Sequence, residues 1–197
     1  MVYPTVEFLN PLSPLTSTRC LIFNTDREPS LEADIEALFQ STCKDGKVDH
    51  IVVTAGDALA TTSIHESTLE SIQRAGQVRF FAPLLIAKVG IKFLNPGPSS
   101  SIILTSGTVA ERPIPNWSVV ASYAAGLHGM TRNLALDLAP VRVNLVSPGA
   151  VDTELWKDMS EDRKAAMFKG IAAKVPTGHV GKSEFFVSVD QVKCADK

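Results

Sequence analysis

GMTRNLALDLAPVRVNLVSPG, residues 129–149, changes character halfway along. Its first half continues a helical stretch that starts near Ala121 and runs to Leu138. Val141–Val146 then reads as a strand, and Ser147-Pro148-Gly149 ends it with turn residues. Working outward toward the N-terminus, the same alternation repeats. Ser101–Thr105 is a strand, preceded by the turn Asn95–Pro98 and followed by the loop Glu111–Asn116. A long helical stretch covers about 66–88, with Leu69, Ile72, Phe80, Phe81, Leu84 and Leu85. His50–Thr54 is a strand ahead of it, and Gly46 closes a helix that Ser30 caps and that carries Leu31, Ile35, Leu38 and Phe39. Cys20–Phe23 is a short strand further upstream. Strands rich in β-branched and large apolar residues, each followed by a helix, predict an α/β fold with a parallel sheet covered on both faces.

The whole chain sets bounds on partners. Its 197 residues fit one domain, 1–197, and 45% hydrophobic content supplies a sizeable core. A net charge of −2 with interspersed signs excludes a nucleic-acid surface. No apolar run approaches the roughly 18 residues of a spanning helix, and the N-terminus does not read as a signal peptide. Three widely spaced cysteines, Cys20, Cys43 and Cys194, predict reduced thiols in a cytoplasmic protein. His50, His65, His128 and His179 lack ligand spacing, so no metal site is expected. Residues 1–19 hold three prolines and no helical pattern, with 6–9 as a short edge strand. The segment after Gly181 does not continue the rhythm either.

The stretch 129–149, followed by Val151-Asp152-Thr153, is similar to the helix, R-V-N strand and P-G turn of the short-chain dehydrogenase/reductase family. Asp49–Gly56 resembles that family's D-x-L-V-N-N-A-G segment, with Val53-Thr54 in place of the two asparagines. Ser101–Gly107 resembles the strand that delivers its catalytic serine, and 177–182 its G-R-x-G-x-P segment. The resemblance spans about 21–181; 1–19 and 183–197 do not match. It implies a Rossmann-like doubly wound parallel sheet, an NAD(P) cofactor and a small-molecule carbonyl or alcohol substrate. Asp26, Ala55, Gly56, Pro148, Gly149 and Thr153 fall at the positions implied for cofactor contacts.

Two departures bear on function. The family's Tyr-x-x-x-Lys pair falls on Val120 and Ala124, and no lysine lies between Lys92 and Lys157. That tyrosine donates a proton to the substrate oxygen, and the lysine's charge lowers its pKa. Tyr123 is the nearest substitute acid, set against a tyrosine merely packed on its helix. Ser106 fits the serine motif, although spacing points to Gly107; it either orients a carbonyl or merely ends a strand. The family's helix asparagine is replaced by Arg79. The second departure is the missing T-G-x-x-x-G-x-G turn, since residues 1–56 contain only Gly46 and Gly56. The first strand–helix part and the last strand of the family are thus expected to be missing. Such losses at both edges fit an incomplete gene model or a real shortened protein.

Without the family's central first strand, the strand 50–54 would face a row of unpaired backbone groups. Either 5–9 or 20–25 is therefore expected to pair directly against it. The small-sided helix 121–138, with Ala121, Ala124, Ala125, Gly126 and Gly129, suits close packing on the sheet or a homo-oligomer contact. Function stands open between an oxidoreductase with an altered site, a non-redox isomerase or cyclase using Arg79, Ser106 or Tyr123, a non-catalytic partner of a full-length dehydrogenase, and an inactive product.

Overall fold

The computed structural model describes residues 5–8, 19–22, 31–157 and 159–182. Ser30, Phe23 and Asp26 lie outside the described residues, as does 183–197. The chain divides into two compact units, 1–147 and 148–197.

The first unit is built on a five-stranded sheet in the order β2-β1-β3-β4-β5. Its strands are β1 (Thr5–Phe8), β2 (Arg19–Ile22), β3 (His50–Val53), β4 (Ser101–Thr105) and β5 (Arg142–Val146). β3, β4 and β5 are parallel, with Ile51 opposite Ile102 and Ile102 opposite Val143. Ile51, Val52 and Val53 are all buried although successive side chains point to opposite faces. Both faces of β3 are therefore covered, as in α/β sheets generally.

The gap beside β3 is filled by the N-terminal segment. β1 runs antiparallel against it, with Val6 opposite Val53 and Glu7 opposite Val52. The sheet is consequently mixed, not parallel throughout. Antiparallel strands close through a short connection, whereas a parallel pair needs a crossover of about a dozen residues or more. The link 9–18 between β1 and β2 is shorter than that. β1 also corrects the edge-strand expectation for 6–9, because it lies inside the sheet and β2 takes the edge.

Among the described residues, four helices accompany this sheet: α1 (Leu31–Thr42), α2 (Leu69–Gly76), α3 (Ala82–Gly90) and α4 (Ser118–Asp137). The core gathers Ile35 and Phe39 from α1, Ile86, Ala87 and Val89 from α3, and Leu127 and Leu134 from α4 around Ile51, Ile102, Leu104 and Val143. The single helix expected over 66–88 is instead α2, a π-turn (Gln77–Phe81) and α3. Pro83 has no N–H for the carbonyl of Arg79 four residues earlier. The spacing loosens at this point, and Ala82 N–H donates to Gln77 O in the wider π pattern. On α4, Val120, Ala124, Leu127, Thr131 and Leu134 are buried, three or four residues apart, and form its inner stripe.

At the N-terminal ends of the parallel strands, His50 Nδ1 lies 2.9 Å from Ser101 Oγ. Burial lowers the imidazole pKa below its ordinary 6.5, Asp49 opposes that shift, and Arg142 adds to it. The neutral form is favoured on folding, so this contribution is intact above about pH 6.5 and is lost as pH falls through the lowered folded value. The urea midpoint is expected to fall between pH 7.5 and 5.5 by a larger margin in the wild type than in His50→Gln. Equal slopes would remove His50 from the account.

The second unit holds β6 (Val151–Asp152), a 3₁₀ turn (Glu154–Trp156), α5 (Glu161–Ala172) and β7 (Gly181–Lys182), with β6 and β7 parallel. Trp156 is its buried anchor. The indole Nε1 donates to Val151 O at 2.7 Å and the ring packs edge-on to Phe168. Lys164 reaches Asp152 at 2.7 Å. α5 carries no buried residue, as its run of charges predicts.

Candidate active site

In doubly wound sheets, ligands meet the carboxyl ends of the parallel strands. In the first unit these ends are Thr54–Gly56 after β3, Ser106-Gly107 after β4 and Ser147 after β5. They differ in chemistry.

The end of β3 is ionic. Arg79 projects from the π-turn, and its Nε stands 3.0 Å from Asp57 Oδ1, with side chains 24% and 33% exposed. The Nη2 group donates to the Asp57 carbonyl oxygen. Both guanidinium nitrogens Nη1 and Nη2 lie 3.1 Å from the point where a Gly56 side chain would begin, so a larger residue there would displace Arg79. Oδ1 and Nε are within ion-pair distance yet lack hydrogen-bond alignment, which leaves both atoms buried without a straight partner. Burial raises the Asp57 pKa, with Arg79 opposing that rise, and burial lowers that of Arg79, with Asp57 opposing. For both groups desolvation outweighs mutual attraction. Such a pair is weak support for stability and a candidate for function.

The end of β4 is apolar. Val120 and Ala124, at the positions of the expected Tyr/Lys pair, are each only 8% exposed. They form a small cluster with Val109, against which Leu59, Ala60, Ala110, Trp117 and Ala121 pack. No titratable group replaces the pair at these two positions. Ser106 N–H donates to Val146 O, extending the β4–β5 ladder, and Ser106 Oγ donates to Ala124 O at 2.9 Å. The serine therefore ties β4 to α4 through the residue at the lysine position.

Tyr123 points elsewhere. Its hydroxyl donates to Ile72 O at 2.9 Å, and its ring packs on Phe80 and Phe81. At the end of β5, Ser147 Oγ lies 3.3 Å from Nε2 of the half-buried His128.

Of the positions implied for cofactor contacts, Ala55 packs on the main core and Gly56 lies beside Arg79. Pro148 and Gly149 open the second unit ahead of β6, and Thr153 follows it, its Oγ1 accepting from Leu155 N–H at 3.4 Å. Asp26 is outside the described residues. Sequence reasoning picked out Arg79 but missed Asp57, 22 residues away. The available signal was a lone arginine in the apolar run Val78-Arg79-Phe80-Phe81, which needs a counter-charge when buried. Among the described residues there is no cluster of metal-ligating side chains, and no helix is long and apolar enough to cross a membrane.

Comparisons with known proteins agree with this architecture. A family model described as an SDR-like Rossmann domain matches residues 8–196. The short-chain dehydrogenase/reductase fsr5 of Gibberella fujikuroi is 42% identical over 165 residues, covering 82% of this chain and 61% of fsr5. The solved structure of MalC reductase/Diels-Alderase from Malbranchea aurantiaca superposes with a TM-score of 0.77 at 38% identity, covering 82% of this chain and 62% of that one. A small-chain dehydrogenase in complex with NADPH gives a TM-score of 0.75 at 30% identity, covering 84% and 75%. The chain thus spans about three fifths of the length of fsr5 and MalC. Matched by the family model over most of its length and 42% identical to fsr5 across 82% of the chain, it belongs to the short-chain dehydrogenase/reductase family.

Proposed function

We propose that this chain serves an oxidoreductase acting on a small carbonyl or alcohol compound, with Arg79 and Asp57 supplying the polar work usually done by tyrosine and lysine. The observation behind this reading is the half-buried ion pair at the carboxyl end of β3, opposed by an apolar cluster at the former Tyr/Lys positions. A fixed guanidinium in a poorly hydrated place stabilises negative charge developing on a substrate oxygen. Its planar donors also orient that oxygen.

The family's cofactor, NAD(P), supplies or accepts a hydride when bound. The residues present fit it only in part. Ala55 and Gly56 are small, but Arg79 already fills the space over Gly56, and no glycine-rich turn exists in the sequence. No step is therefore assigned through the cofactor. Titration of the chain with NADPH, followed by calorimetry, tests the reading. Saturable binding in the micromolar range supports it; no heat up to millimolar cofactor contradicts it.

A second reading is a non-redox enzyme, an isomerase or cyclase, using the same pair. It is favoured by the loss of the proton-transfer pair and by a relative described as both reductase and Diels-Alderase. Such an enzyme would accelerate rearrangement of its substrate with no cofactor present.

We also propose a homo-oligomer through helix α4. Its small residues divide by face: Ala124 is buried and Gly126 admits Phe80, while Ala125 is exposed and nothing lies within 4 Å of the Gly129 Cβ position. Gly129→Leu should therefore fold normally and shift the species seen in sedimentation velocity to the monomer. An unchanged oligomer would exclude this face.

A further inference from the structure

We propose that Tyr123 is a positioning residue that holds the π-turn in the register that aims Arg79 at Asp57. The inference rests on the reading that this ion pair is the polar centre of the site.

π-turns are rare, form mostly as single turns within α-helices and concentrate at functional sites. This one spans Gln77–Phe81 and places Arg79 at its middle, between the buried Val78 and the partly buried Phe80. Pro83 explains why the α pattern is interrupted. It does not explain what holds the wider turn in place. The contacts that Tyr123 makes before the turn and over it do. On the N-terminal side, Tyr123 Oη donates to Ile72 O in α2. Over the turn itself, the tyrosine ring lies 5.4 Å from Phe80 and 6.2 Å from Phe81, centroid to centroid.

Two glycines make room for this clamp. A Cβ on Gly76 would fall 2.5 Å from Tyr123 Cζ, and one on Gly126 would fall 2.7 Å from Phe80 Cε2. Gly76 is the last residue of α2 and Gly126 lies on α4, so α4 carries both the tyrosine and the notch that receives Phe80. Relaxation of the turn to an α-helix would move the following residues by one position, a rotation of about 100° per residue. Arg79 would then leave Asp57. The hydroxyl of Tyr123 acts through the helix on Arg79 and has no need to reach a substrate.

Nitrogen-15 NMR of the guanidinium N–H groups reads this directly. The Arg79 signals are assigned by their disappearance in Arg79→Lys. In Tyr123→Phe, which keeps the ring and removes the hydroxyl, exchange of the Arg79 N–H protons with solvent is expected to speed up about tenfold relative to the backbone amides of Ile51 and Ile102, a ratio that corresponds to about 1.4 kcal/mol of free energy for local opening at Arg79. Tyr123→Leu should widen that ratio. Gly76→Ala, which pushes on the ring from the other side, should raise it as well. Should Tyr123→Leu fail to fold, Tyr123→Phe and Gly76→Ala decide. Equal acceleration of Arg79 and core protons would show a merely structural tyrosine and overturn the proposal, as would no change in either. The readout involves no turnover, so the proposal can fail while the ion pair remains the working centre. Conversely, an inactive Arg79 variant says nothing against it.

Discussion

Arg79→Met is expected to lower turnover by about 10²–10³-fold, the usual loss when one preorganised donor to a developing negative charge is removed. Methionine keeps much of the length and removes both the charge and the donors. The partner then matters. Asp57 would be left half-buried with no cation beside it, and burial already raises its pKa. Its carboxyl should take up a proton more readily in the variant. Breaking a fully buried pair costs about 3–5 kcal/mol; here both side chains keep a quarter to a third of their exposure, so roughly 1–3 kcal/mol is expected. Arg79→Lys should not restore turnover, because an ammonium cannot present the planar donors that reach both the carboxylate and the carbonyl of Asp57. Steady-state rates and urea midpoints on the three proteins check these expectations. Full activity in Arg79→Met would remove the ion pair from the chemistry.

The largest expected effect on stability belongs to Phe39→Ala. Phe39 is 1% exposed, belongs to the main core and stacks on Phe93 at 5.2 Å between centroids. Replacing a buried phenylalanine by alanine typically costs about 3–5 kcal/mol, counting lost transfer energy and the cavity left behind. Domains of this kind have about 5–15 kcal/mol in total. The variant is expected to lose a large part of its stability and to unfold at a markedly lower urea concentration. A change under about 1 kcal/mol would mean that α1 is not packed on the sheet as described.

Most of the fold was legible in the sequence because its signals are local. β3, β4 and β5 each show a compact apolar run, and α4 shows both its period and its match to the family. Where the structure differs, the deciding interactions are long-range or depend on a single residue. The place of β1 beside β3 follows from which backbone edge lacked a partner, so 6–9 read as an edge strand although the alternative pairing of 5–9 with 50–54 was open. The break in the helix over 66–88 hinges on Pro83, whose missing N–H is visible in sequence but whose consequence, a π-turn in place of a kink, is not. The site divides in the same way. Val120 and Ala124 could be placed by counting from Gly129 inside a well-matched segment. Asp57 could not, because its role is set by an arginine 22 residues away that folds back over Gly56. Tyr123 read either as a substitute acid or as a tyrosine packed on its helix, and its hydroxyl's partner, the carbonyl of Ile72 51 residues away, is a long-range contact that no local pattern announces.

On the proposed reading, reaction proceeds without a tyrosine–lysine proton donor, and turnover of Tyr123→Phe tests this most directly. Once a substrate is in hand, the variant is to be compared with wild type across pH 5–9. Loss of one neutral hydrogen bond, about 1 kcal/mol, predicts a fall of roughly fivefold with the shape of the pH profile unchanged. A fall of about 10²–10⁴-fold, with the basic limb of the profile abolished, would identify Tyr123 as the general acid and contradict the account.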